Sequence, residues 1–246
     1  MIRSLCSLLG YSIHAQDGEI GSVHNFFIDD DHWMVRYLVA EAGGWLHSRK
    51  VLISPACLGH PDWEGRVFPV TLTRDQVRNQ PDIDAHQPVS RQQEIEMSSY
   101  YGWPVYWSIE PLVAMPVAVP ASRDESRRGD PHLRSARELI TYRVRGSDGA
   151  VGNMADLIVE EETWKVESLV VDMGTWRTGH RVLLPAPSVK EISWAHREVV
   201  LAMSRDQAGA LPEFDPFAPV NRWVEEHRYD YYGRPAQPAR SRKEHR

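Results

Sequence analysis

Cysteine is scarce in this 246-residue chain: only Cys6 and Cys57 occur, which leaves no disulfide framework and no four-thiolate zinc site, and fits a reducing compartment. Long apolar runs are missing too. No segment reaches the roughly 20 apolar residues needed to cross a bilayer as a helix. A cationic excess is absent, since the formal net charge is −6 and the pI is near 6.0. That balance provides no broad positive field for releasing counterions from nucleic acid, so direct nucleic-acid binding is not expected. Neither a Gly-x-Ser-x-Gly elbow, nor His-Glu-x-x-His, nor Cys-x-x-Cys is present, and the hydrolase, zinc-protease and redox chemistries these spacings serve lose their usual signatures.

What the chain does contain is itself, twice. Residues 4–104 and 135–235 align without a gap at an offset of 131 positions, the separation of Asp17 from Asp148. In this register Gly21 meets Gly152, Trp33 meets Trp164, Trp45 meets Trp176, Trp63 meets Trp194, and Arg74-Asp75-Gln76 meets Arg205-Asp206-Gln207. Tyr100-Tyr101-Gly102-Trp103-Pro104 recurs as Tyr231-Tyr232-Gly233-Arg234-Pro235. Residues kept by both copies are expected to build the fold, and residues found in one copy are candidates for a special task. The organisation read from this is a first unit at 1–110, a linker at 111–132, a second unit at 133–235 and a basic tail at 236–246. The tail is expected to be disordered.

Within each unit the pattern is mainly β with short helices. Strands are expected at 11–15 and 20–29 around the turn Asp17-Gly18, then at 33–41, 50–53 and 66–72, with equivalents in the second unit. The acidic runs Asp29-Asp30-Asp31 and Glu160-Glu161-Glu162 fall between strands and read as solvated hairpin tips. Thr73 with Gln76, and Ser204 with Gln207, have the spacing of capping boxes and predict short helices. Ser135 with Glu138 predicts a capped turn at the start of the second unit. A longer helix is expected from Arg91 to Tyr100, capped by Ser90 and stopped by Gly102 and Pro104. The opening residues align with mid-chain residues 134–141 and so do not read as a secretory leader; a cytoplasmic location is expected.

Catalysis finds little support in the residue pattern. None of the eleven histidines is duplicated; His14 meets Arg145 and His24 meets Ala155. Asp29-Asp30-Asp31-His32 lacks the turning glycine and distant glutamate of a calcium loop. No catalytic residue, cofactor or metal is therefore expected. The aromatic run is the most distinctive surface candidate. Tyr100, Tyr101, Trp103, Tyr106 and Trp107, with Tyr231 and Tyr232 in the second copy, are read either as partner-docking residues or as packing against their own unit.

The turn Asp17-Gly18 with Gly21, the run Tyr37-Leu38-Val39 before Gly43, and Val51-Leu52-Ile53 before a proline resemble the PRC-barrel family. Asp148-Gly149 with Gly152, Leu169-Val170-Val171 before Gly174, and Val182-Leu183-Leu184-Pro185 repeat the resemblance. It implies two small PRC-type β-barrels in tandem, each followed by short helices, and a docking role like that of the photosynthetic reaction centre H subunit or the ribosome-maturation factor RimM. The expectation drawn from it is a non-enzymatic scaffold or adaptor for another protein. The alternatives are a RimM-like ribosome-maturation accessory factor and a peripheral partner of a photosynthetic or other membrane complex. Self-association is left open.

Overall fold

A computed structural model describes residues 2–43, 49–81, 91–103, 133–174, 180–193, 195–211 and 213–214, with backbone only for residues 91–93. The front half contains β1 (Ile2–Ser4), β2 (Ser12–Ala15), β3 (Gly18–Asp29), β4 (Met34–Ala42), β5 (Lys50–Ile53), β6 (Val67–Pro69), α1 (Arg74–Arg78) and α2 (Arg91–Tyr101). The back half contains β7 (Leu133–Ser135), α3 (Ala136–Leu139), β8 (Arg143–Gly146), β9 (Gly149–Glu160), β10 (Val166–Asp172), β11 (Arg181–Pro185), β12 (Val189–Ser193), β13 (Glu198–Leu201) and α4 (Arg205–Gly209). The fold is mainly β, as the alternation of apolar and polar residues predicts.

Each half builds one sheet around its long hairpin. The front order is β5-β4-β3-β2-β6 and the back order is β11-β10-β9-β8-β13-β12. Neither hydrogen-bonded ladder closes into a barrel among the described residues. In the back half, β11 and β12 stand at opposite ends of that order although only the 3-10 turn Ala186–Ser188 separates them in the chain. Pro185 and Pro187 supply no N–H at this corner, so the ladder cannot be carried across it.

The local grammar is the same in both halves because the same residues meet the same constraints. Gly21 and Gly152 let the neighbouring strand approach closely: an added Cβ would lie 2.0 Å from the Glu41 carbonyl oxygen, or 2.2 Å from that of Asp172. Asp17 accepts the backbone N–H of Arg74 at 2.7 Å, and Asp148 that of Arg205 at 2.6 Å. This ties each first turn to the helix that follows the sheet. Both expected capping boxes form, Thr73 with Gln76 and Ser204 with Gln207.

The halves exchange their first strands. β1 pairs antiparallel with β9, Ile2 opposite Glu160 and Ser4 opposite Ile158. β7 pairs in the same way with β3, Leu133 opposite Asp29 and Ser135 opposite Phe27. The two registers are identical under the duplication offset, so the halves are related by a pseudo-twofold axis. The isolated bridge between Met34 and Lys165 marks that axis, since these two residues are counterparts of each other. Beside it Val35 N–H donates to the Trp164 carbonyl at 2.9 Å and Val166 N–H to that of Trp33 at 2.7 Å.

One apolar cluster therefore runs through both sheets, joining Phe26, Ile28 and Phe68 of the front half to Leu157, Trp164 and Val199 of the back. Trp164 is 6% exposed and lies with its ring centroid 6.1 Å from Phe26 and 5.8 Å from Phe68. It comes from the back hairpin but fills the front core. Trp33 and Trp164 both hold a positive φ, 54° and 60°, a conformation that bulky residues rarely adopt. The strained turn at Trp164 carries its indole across the seam into the front core.

At the acidic hairpin tips Asp31 and Glu162 are exposed as expected, while Asp29 and Asp30 depart from the solvated reading. Asp29 is 4% exposed, where it accepts from Arg36 Nη2 at 2.6 Å and from the backbone N–H of Asp31 at 3.0 Å. Asp30 pairs with Arg134 Nε at 2.7 Å, both side chains being 9% exposed. The counterpart pair, Arg3 Nε to Glu161, is looser at 3.6 Å. Strand exchange brings a basic residue of one half over the acidic turn of the other, and that pairing permits the burial.

Candidate interaction site

Helix α2 lies on the outer face of the front sheet. Glu94, Met97, Ser98 and Tyr101 recur at i, i+3, i+4 and i+7 and form its inward stripe, while Ile95, Glu96, Ser99 and Tyr100 are exposed. Met97 is fully buried with Phe27, Tyr37, Val39, Leu52 and Leu133. Glu94 is fully buried as well, and its carboxylate accepts the Tyr37 hydroxyl at 3.1 Å. A carboxylate on the apolar stripe was the one sequence signal of this contact; its partner, 57 residues away, had none.

The helix stops as its sequence predicts. Gly102 takes φ +70°, and the N–H of Trp103 returns to the Ser98 carbonyl at 3.0 Å, a closure that glycine enters without steric cost. This turn lays Trp103 flat on Tyr101, with ring centroids 4.3 Å apart and planes inclined by 10°. Trp103 Nε1 donates to Cys57 Sγ at 3.2 Å. Tyr101 donates to Gln80 Oε1 at 2.9 Å, and Tyr100 to the Gln76 carbonyl at 3.1 Å. Burial is the main reason that the Tyr101 hydroxyl titrates above its ordinary range.

The structure thus divides the aromatic candidates. Tyr101 and Trp103 are half-buried against their own sheet, whereas Tyr100 is 41% exposed, as is Ile95. Tyr106, Trp107, Tyr231 and Tyr232 lie outside the described residues, as do Ser90, Trp45, Trp176 and Trp194. A cleft of about 170 Å³ opens beside Trp103, lined by Tyr37, Arg36, Met34, Pro55, Ser98 and, from the back half, Thr163. It abuts the pseudo-twofold axis, so its walls come from both units.

Titratable groups elsewhere serve the frame. Burial raises Asp29, but hydrogen bonds from Arg36 and the His32 backbone outweigh it and hold the carboxyl below its ordinary value. Burial, then Asp156, pushes the Cys6 thiol up to about 12, which keeps it protonated and unreactive at neutral pH. His24 is lowered by burial first, then by Lys50 and Arg137. Among the described residues no group of three or more His, Cys, Asp or Glu side chains converges as a metal site. No described helix is long and apolar enough to cross a membrane.

No family model matches the chain. It is similar to an uncharacterized protein of Deinococcus radiodurans, at 31% identity over 88 residues that cover 35% of this chain and 31% of that protein. The chain thus spans about a third of the length of that relative.

Proposed function

We propose that this protein is a non-enzymatic scaffold or adaptor built from duplicated PRC-type barrel units, and that it docks another protein on the α2 side of the front half. The observation that carries the reading is an exposed apolar pair on α2, next to a helix end whose aromatic rings are already held in place. Ile95 and Tyr100 are exposed on α2, and the same helix contributes Ser98, with Trp103 just beyond its end, to the lining of the cleft. Aromatic residues beside a preformed cleft are the usual anchors of protein interfaces. Trp103 and Tyr101 serve as a rigid floor, already held by Cys57 and Gln80. Arg36 and Thr163 supply polar groups at the rim.

A photo-crosslinking amino acid placed at Tyr100 in living cells tests this. A discrete protein adduct is expected from Tyr100 and none from a control at Lys190, an exposed position on β12. Equal labelling from both positions, or none from either, overturns the assignment. Co-sedimentation of the adduct with small ribosomal subunits, or with membranes, would shift the reading to a ribosome-maturation factor or a peripheral membrane partner.

A further inference from the structure

Contacts across the seam come in reciprocal pairs. The Ser4 hydroxyl donates to Asp156, and the Asn25 amide donates to the Ser135 hydroxyl at 2.8 Å. Asp156 Oδ1 accepts the Cys6 N–H at 3.0 Å, and Asn25 Oδ1 the Arg137 N–H at 3.1 Å. The same two oxygens accept their own neighbours' amides, Leu157 N–H at 2.7 Å and Phe26 N–H at 2.8 Å. Each of these side chains thus splices an incoming strand to the edge it joins. With the ion pairs Arg3–Glu161 and Arg134–Asp30, the reciprocal backbone bonds at Trp33 and Trp164 and the Trp164 indole in the front core, the seam has the anatomy of a two-fold dimer interface: an aromatic centre, a hydrogen-bonded surround and paired charges.

None of these contacts uses residues 104–132, which join the halves in the chain. We infer that the seam is a self-sufficient binding interface whose partner is a second copy of this chain: residues 2–103 of one molecule recognise residues 133–214 of another through the same exchanged strands they use at home. The connection governs only which copy is met. A tether sets an effective concentration on the order of millimolar, so the intramolecular pairing prevails in dilute solution. Removing the tether exposes the intrinsic affinity. The axis adds selectivity, because pairing two back halves would set Lys165 opposite its own copy, whereas front with back sets Met34 there.

The test keeps the full chain and inserts a protease recognition site between Ser126 and Arg127. After cleavage, size exclusion and native mass spectrometry at micromolar concentration should return a one-to-one complex of the two fragments. Unfolding and refolding a mixture of cleaved light and isotope-labelled protein should yield mixed pairs. Arg134→Met in the cleaved protein should weaken the complex at least about tenfold, as loss of a buried pair at an interface does, while Lys190→Ala leaves it unchanged. Fragments that separate at micromolar concentration overturn the inference, as does an affinity that Arg134→Met does not alter. Should Arg134→Met fail to fold, Asn25→Ala, which removes the donor to the Ser135 hydroxyl and the acceptor of the Arg137 N–H, reports on the same seam, and an unchanged affinity there has the same meaning.

Discussion

On the outer face of the front sheet, Phe27, Tyr37, Val39 and Leu52 lie under Met97 of α2; on the equivalent back face, Ile158, Val170 and Leu183 lie with Phe214. Three of the four sheet positions stay apolar in both halves. The fourth does not: Tyr37 has Ser168 as its counterpart, and it is Tyr37 whose hydroxyl satisfies buried Glu94 and whose ring lies 6.4 Å from Trp103. A duplicated frame can therefore hold still while a single aromatic substitution equips one face with a polar anchor. The seam tells the complementary story, because residues that differ there keep the same contacts: Asn25 donates to Ser135 where Asp156 accepts from Ser4, and Asp30 and Glu161 each pair with an arginine.

The comparison breaks most visibly at the two equivalent tryptophans. Trp164→Ala should cost about 4 kcal/mol in denaturant unfolding, as a large buried side chain does, and Trp33→Ala, which is only partly buried, about half of that. Equal losses would mean that the partly buried Trp33 supports the shared core as much as Trp164 does. Gly21→Ala and Gly152→Ala should each cost roughly 3 kcal/mol, because the added carbon meets backbone that cannot yield. Thermal melts of both variants should agree, since the strand approach is the same in each half.

Arg134→Met should cost about 3 kcal/mol by leaving Asp30 buried beside an apolar side chain. Arg3→Met, whose side chain is 30% exposed and whose contact is longer, should cost under about 1 kcal/mol. Tyr37→Phe should cost about 1–2 kcal/mol through loss of the Glu94 partner, and Ser168→Ala nearly nothing. A double-mutant cycle of Tyr37→Phe with Glu94→Gln checks that the loss belongs to this pair.

The smallest effects come from pH. Because the folded pKa of Asp29 is depressed below its ordinary 3.8, its contribution is complete above that value and is lost as pH falls below it. Cys6 and Tyr142 act in the opposite direction. Their pKa values rise from 9.0 and 10.0 to about 12, so their contribution is complete below pH 9 and declines as pH climbs toward 12. Stability measured from pH 2 to 12 should therefore fall at both ends, with the alkaline loss reduced in Cys6→Ser.

Much of the local structure was legible because its causes are local. Thr73 and Gln76 cap a helix wherever they stand three residues apart, Gly102 ends α2 by taking a positive φ, and Ser135 accepts the Glu138 N–H at 3.2 Å as its spacing implies. Strand limits moved by a few residues; the segment expected at 66–72 contracted to Val67–Pro69. Asp29 and Asp30 depart from the solvated reading for a different reason. Asp29 and Asp30 are ordinary turn residues until Arg36 and Arg134 arrive, and Arg134 is 104 positions away. Of the aromatic candidates, only the exposure of Tyr100 and the packing of Tyr101 and Trp103 are on view, and helix periodicity alone did not separate them, because the floor they rest on is made by Cys57, Gln76 and Gln80.

By itself the amino-acid order determined the duplication and the mainly β character, and also the hairpin turns and helix caps, which are consequences of residues within a few positions of one another. Tertiary structure decided what the two copies do to each other: that β1 and β7 change places, that the Trp164 indole fills the front core, and that Asp30 is buried against Arg134 of the other half. Pairing energies between strands more than a hundred residues apart depend on which edges are left open after each sheet has formed, and no local spacing encodes that choice.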